Sequence, residues 1–200
     1  EKEDVRKLEK LKKNFILKIE DFFRDDRKLN IGVIGQVKSG KSSLLNSMLF
    51  SGNEILPKAS TPKTATLTKI EYSTTNKMKV EYYSKEEWDV IKGNSEVEIN
   101  DEIYESAREI LKIATLSNVK IEEVFSKKEE VIEFDSYESL IGRLNDYVGE
   151  NGKYTAFVKA VTLYIDKDEL KEISIVDTPG LNDPIVSRTI RTKEFIEICD

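Results

Sequence analysis

Eight consecutive residues, Gly35-Gln36-Val37-Lys38-Ser39-Gly40-Lys41-Ser42, carry the most specific chemistry in the chain. Two glycines five apart followed by Lys-Ser form a phosphate-loop pattern. The glycines let the backbone curl so that successive N–H groups face inward as an anion nest, at the positive end of the helix that follows. Lys41 adds a mobile charge for the β- and γ-phosphates of a nucleotide, and the Ser42 hydroxyl suits Mg²⁺. Ser43 completes the set of nucleotide-binding candidates.

A second constellation is Asp177-Thr178-Pro179-Gly180, which follows the apolar run Ile173, Ile175, Val176. Asp, Pro and Gly are ordinary turn residues, so alone this signal is weak. Placed after a buried strand and downstream of a phosphate loop, it reads as the Asp-x-x-Gly of GTPases. Asp177 is then a Mg²⁺ ligand, usually through water, and the Gly180 N–H meets the γ-phosphate. The Pro-Gly form favours GTP over ATP.

The elements that must hold these groups follow from periodicity. An apolar strand at Leu29–Ile34 enters the loop, and a helix at about Ser42–Phe50 leaves it. Strands are expected near Thr66–Tyr72, Lys77–Tyr83, Val158–Ile165 and Ile173–Val176, with helices near Asp101–Leu116 and Ser136–Tyr147. Ser84 with Glu87 is a capping box opening a helix around Trp88, and a last helix begins around Pro184. Ahead of the first strand, Val5, Leu8, Leu11, Phe15, Ile19 and Phe22 form one stripe of an amphipathic helix. Trp88, Tyr82 and Tyr83 read as local packing, Cys199 as a small core residue, and Arg188 and Arg191 as surface or dimer-contact groups. The fold class is α/β: a phosphate-loop core with a mixed sheet flanked by helices.

Composition removes several rivals. Histidine is absent from the 200 residues, which excludes Ser-His-Asp and Cys-His nucleophile systems and imidazole metal sites. One cysteine allows no internal disulfide. A net charge of −6 argues against a nucleic-acid partner. Residues 84–150 hold eight basic and eighteen acidic groups, a local balance of −10, and read as an acidic, mostly helical insertion. No apolar run approaches the ~20 residues that span a bilayer, and a cytoplasmic protein is expected. The chain opens on Glu1 and stops inside a predicted helix, which suits a piece of something larger.

With both motifs in place, the chain resembles the dynamin superfamily, and most of all bacterial dynamin-like proteins. The likeness rests on Gly40-Lys41-Ser42-Ser43-Leu44-Leu45-Asn46, on the Leu56-Pro57 pair, on Asp177-Thr178-Pro179-Gly180-Leu181-Asn182-Asp183, and on the amphipathic helix before the first strand. It implies residues 1–28 as a helix of a neck-type bundle. Residues 29–200 are then a GTPase domain, incomplete at its C-terminus, with the insertion at about 84–150. It also implies binding of GTP and GDP with Mg²⁺, and hydrolysis of GTP. Further implications are self-association of GTPase domains as a dimer or oligomer, a related dynamin-like partner, and peripheral contact with a lipid membrane through parts outside this chain.

The same resemblance implies a switch threonine that holds Mg²⁺ and positions the attacking water. Counting from Leu56-Pro57 gives Thr64, with Thr61 as the alternative. Three departures matter. Leu181 stands where small signalling GTPases carry a water-orienting Gln. Val37 and Lys38 stand where animal members carry a Gln and a Ser that position water and hold a monovalent cation, so Lys38 is the candidate to supply that charge itself. Nothing after Gly180 matches the guanine-reading [Asn/Thr]-Lys-x-Asp motif. Two other functions fit these residues: a switch GTPase of the ribosome-assembly type, and a nucleotide-binding scaffold that no longer hydrolyses.

Overall fold

The computed structural model describes residues 8–9, 11–12, 15–16, 19–20, 23, 28–35, 39–57, 66–99, 102–149 and 152–177. Gln36, Val37, Lys38, Thr61, Thr64, Gly180, the helix expected from Pro184, Arg188, Arg191 and Cys199 lie outside them. The described elements run β1 (Leu29–Val33), α1 (Lys41–Phe50), β2 (Leu67–Tyr72), β3 (Lys77–Tyr82), α2 (Lys85–Ser95), α3 (Glu102–Leu116), α4 (Ile121–Lys127), β4 (Glu129–Glu133), α5 (Tyr137–Val148), β5 (Val158–Ile165) and β6 (Ile173–Asp177). The six strands make one mixed sheet in the order β1-β6-β2-β5-β3-β4.

Strand sequence explains sheet position. β5 (VKAVTLYI) is covered on both sides: Val161, Leu163 and Ile165 are buried on one face and Ala160 and Thr162 on the other. β2 and β3 alternate. Ile70, Met78 and Val80 face the core with Val161, Leu163 and Ile175, and every described helix adds residues to that cluster. On the opposite face Lys69 pairs with Glu71 at 2.6 Å, and Lys77 lies over the Tyr164 ring at 5.1 Å. A small second cluster there joins Leu67, Ala160 and Val176 at the end of the sheet that carries Asp177.

The acidic segment is not only helical. It supplies β4 (EEVIE), an edge strand antiparallel to β3. Ile132 buries its side chain in the core, and charged and polar pairs lie along the ladder. Lys79 meets Glu129 at 2.8 Å, and the Tyr82 hydroxyl donates to Glu130 at 2.8 Å. The expected capping box is present: Glu87 N–H donates to Ser84 Oγ, and Ser84 N–H to the Glu87 carboxylate. Glu87 also receives the Lys159 ammonium, which ties α2 to β5. Trp88 packs 5.2 Å from Phe157 and 6.2 Å from Phe125, so it is a core residue as expected.

The N-terminal residues described are helical at 8–9, 11–12, 15–16 and 19–20. Their apolar stripe is not buried: Leu8, Leu11, Phe15 and Ile19 are all exposed. No helix among the described residues is long and apolar enough to cross a membrane.

Candidate nucleotide phosphate site

The sheet brings the two motifs together. β1 and β6 run parallel, and Val33 lies opposite Asp177 at their carboxyl ends. The chain leaving β1 at Ile34–Gly35 therefore starts beside the carboxylate that ends β6. This is the sheet end at which α/β folds receive ligands.

The geometry calls for glycine at Gly40 and leaves little room beside Gly35. Gly40 precedes α1 with φ +89°, a left-handed conformation that side chains rarely adopt. At Gly35 a Cβ would come within 2.8 Å of Ser39 Oγ. The first turn of α1 holds no acidic residue, and Gly40 gives it no side-chain cap. The amides and dipole at this end are thus left for an anion from outside. Lys41 Nζ donates to the Gly35 carbonyl at 2.9 Å, which keeps its charge over the mouth of the loop.

Ser42 Oγ donates to Asp177 Oδ2 at 2.9 Å, across 135 residues of sequence. The other carboxylate oxygen, Asp177 Oδ1, is buried and has no hydrogen-bond partner among the described residues. Burial pushes the Asp177 carboxyl above the usual carboxylate range; the Ser42 hydrogen bond and the nearby Lys41 charge pull the other way. A shielded carboxylate oxygen beside a hydroxyl is a hard oxygen donor set of the kind that suits a small divalent cation. No group of three or more Asp, Glu, His or Cys that could hold a metal occurs among the described residues. Mg²⁺ fits that poverty of protein ligands, since it is commonly held by one or two side chains together with phosphates and water.

Of the expected site residues, the structure places Gly35, Ser39, Gly40, Lys41, Ser42, Ser43 and Asp177 around one end of the sheet. One participant was missed from sequence. Asn46, one helical turn after Ser42, is buried at 2% exposure and binds both backbone groups of Leu56. A carboxamide inside the run Leu44-Leu45-Asn46-Ser47-Met48-Leu49 was the available signal. Asparagine is a poor helix former and stays buried only when its hydrogen bonds are met.

Comparisons with known proteins agree with this arrangement. A family model described as the dynamin family matches residues 31–200. Dynamin-like protein 1 of Campylobacter jejuni is 32% identical over 172 residues, which cover 86% of this chain and 22% of that protein. Two solved structures of an oligomerised bacterial dynamin pair, described as a mechanism for long-range sensing and tethering of membranes, are 28% and 26% identical. They superpose with TM-scores of 0.63 and 0.59, over 96% of this chain and 29% and 28% of theirs. The chain thus spans less than a third of the length of these relatives. With a family match over residues 31–200, the chain belongs to the dynamin family.

Proposed function

We propose that this chain forms the phosphate-binding part of a Mg²⁺-dependent GTPase of the bacterial dynamin-like type. The carrying observation is the Ser42–Asp177 hydrogen bond with a shielded second carboxylate oxygen, set at the uncapped start of α1 beside Lys41. The loop amides bind the β- and γ-phosphates, and Lys41 turns from the Gly35 carbonyl to the phosphate oxygens. Ser42, Asp177 and Thr64 are the residues that would hold Mg²⁺, whose chemistry there is to neutralise charge between the β- and γ-phosphates. Water attacks the γ-phosphorus in line, the bond to the β,γ-bridging oxygen breaks, and GDP and phosphate leave. Thr64 positions the water, the Gly180 N–H meets the γ-phosphate, and Gln36, Val37 and Ser43 complete the loop. Lys38 supplies positive charge in place of a monovalent cation.

Guanine preference rests on family membership, because the base-reading motif is not found in these residues. Residues 1–28 serve as a bundle helix, a role supported by the exposed stripe of Leu8, Leu11, Phe15 and Ile19. Residues 29–200 form the GTPase domain, with the acidic insertion at about 84–150. The solved relatives, an oligomerised bacterial dynamin pair that senses and tethers membranes, support self-association, a second dynamin-like chain as partner and contact with a membrane surface. A cytoplasmic location with peripheral membrane contact belongs to the same proposal.

Calorimetric titration of the full-length protein with guanine and adenine nucleotides in Mg²⁺ tests the reading. Guanine nucleotides are expected to bind at least about 100-fold more tightly than adenine nucleotides, as a hydrogen-bonded base site requires. The 200-residue chain alone is expected to bind both weakly and with little discrimination. Equal affinity for ATP and GTP in the full-length protein overturns the guanine assignment.

A further inference from the structure

Asn46 sits on the face of α1 that also carries Ser42, four residues earlier. Its side chain makes two bonds to one residue ten positions on. Asn46 Nδ2 donates to the Leu56 carbonyl at 2.9 Å, and the Leu56 N–H donates to Asn46 Oδ1 at 2.8 Å. The carboxamide thus pairs with Leu56 as a neighbouring strand would. Leu56 is 2% exposed, so both of its backbone groups would be buried orphans without Asn46. The main chain of Asn46 works in the same turn: its carbonyl accepts the Gly52 N–H at 3.0 Å. Ser51 (φ 53°) and Gly52 (φ 83°) then fold the chain back beside the helix. One residue therefore ends α1 and holds the segment that returns along it.

Leu56 is followed by Pro57, and nine residues separate Pro57 from the start of β2 at Leu67, the strand in which Thr68 lies opposite Asp177. Those nine residues include Thr61 and Thr64. The described chain on either side of them is fixed at two points. One is Asn46, on the helix whose first turn holds Ser42. The other is β2, which pairs with β6, the strand that ends in Asp177. Side-chain packing alone would not need both amide bonds. Ile55 and Leu56 are already inserted among Leu45, Leu49 and Phe50 in the core. The two hydrogen bonds fix what apolar contact leaves free, which is the register and direction of the backbone leaving Leu56.

We infer that Asn46 is a positioning residue for the reaction proposed above, on which this inference rests. Its carboxamide locks the Leu56–Pro57 backbone to α1, so the chain carrying the threonine candidate starts from a point fixed relative to the phosphate-binding turn. The threonine matters only when the γ-phosphate and attacking water are present. Loss of the clamp should therefore act on turnover and leave GDP binding alone.

The test uses the full-length protein with Asn46→Ala and Asn46→Asp. The second keeps the volume and the acceptor for the Leu56 N–H but sets an oxygen against the Leu56 carbonyl, so Asn46→Ser, small and uncharged, carries the test if either fails to fold. Three quantities are measured: kcat for GTP, the GDP dissociation constant in Mg²⁺, and the unfolding midpoint. In a folded variant kcat is expected to fall about 10- to 100-fold, the loss expected of an ångström-scale misplacement. GDP affinity should stay within about three-fold of the parent. Equal losses in kcat and GDP affinity would mark a merely structural residue and overturn the inference. So would a folded variant turning over at the parental rate. A parent protein that releases no phosphate from GTP instead overturns the proposed function itself, which keeps the two failures apart.

Discussion

Lys41→Ala in the full-length protein is expected to weaken GTP and GDP binding by at least about 100-fold while leaving the unfolding midpoint within a few degrees of the parent. Charge-assisted hydrogen bonds to phosphate contribute about 1.5–3 kcal/mol each, and Lys41 is placed to make two. Its structural role is much smaller. The side chain is half-buried, and its ammonium bonds the Gly35 carbonyl at the edge of the loop. One such bond contributes about 1.5 kcal/mol to folding, the low end of the range for charged groups. Fluorescence titration with a labelled GDP, paired with thermal unfolding, separates the two effects. A variant that binds within a few-fold of the parent shows that Lys41 is not the phosphate lysine.

Asp177→Asn is expected to stabilise the nucleotide-free protein at neutral pH and to cut Mg²⁺-dependent turnover by about 100-fold or more. The stability half follows from burial, which raises the Asp177 carboxyl above its ordinary value. A raised acid favours the folded state fully below the unfolded carboxylate pKa, and that benefit is lost as pH climbs through the raised folded value. At pH 7.5 the carboxyl is therefore a net cost to the empty site. Asparagine removes the charge and keeps an oxygen for the Ser42 hydroxyl, whose present bond to Asp177 Oδ2 is 2.9 Å long. At pH 3, where Asp177 is protonated, the variant should have lost its advantage over the parent. Thermal unfolding without nucleotide at both pH values, together with phosphate release in Mg²⁺, measures both halves. A lower midpoint at pH 7.5, or turnover within ten-fold of the parent, contradicts the assignment.

Much of the site was readable because its chemistry is local. Gly40 is called for by a left-handed φ and Gly35 lies close to Ser39, and those demands appear in sequence as glycine at fixed spacing. Apolar periodicity placed the sheet strands β1, β2, β3, β5 and β6 within a residue or two, and the Ser84–Glu87 box marked the start of α2. What escaped is non-local. The β4 sequence EEVIE has three glutamates in five residues and little intrinsic β-propensity. It is a strand because β3 offers Lys79 and Tyr82 across the ladder, at a register no sequence window displays. The seven-residue α4 was missed for a similar reason: only Val124 of it is fully buried, so its periodicity is short and faint. Asn46 was quoted as part of a family run, but its partner is a backbone ten residues away, which carries no side-chain signature. The Ser42–Asp177 contact lay between these cases. Both residues were legible from their motifs, and the parallel pairing of β1 with β6 is what joins them.

Phosphate release from GTP by the full-length protein, followed as Mg²⁺ is titrated into an EDTA-treated sample, tests the central claim most directly. Parent protein should be silent without the metal and reach a saturating rate with it. Ser42→Ala should need far more Mg²⁺ for half its maximal rate, because the hydroxyl beside Asp177 is gone. Hydrolysis that proceeds equally with and without Mg²⁺, or a Ser42→Ala variant with an unchanged Mg²⁺ requirement, would show that the Ser42–Asp177 pair is not a metal-nucleotide site.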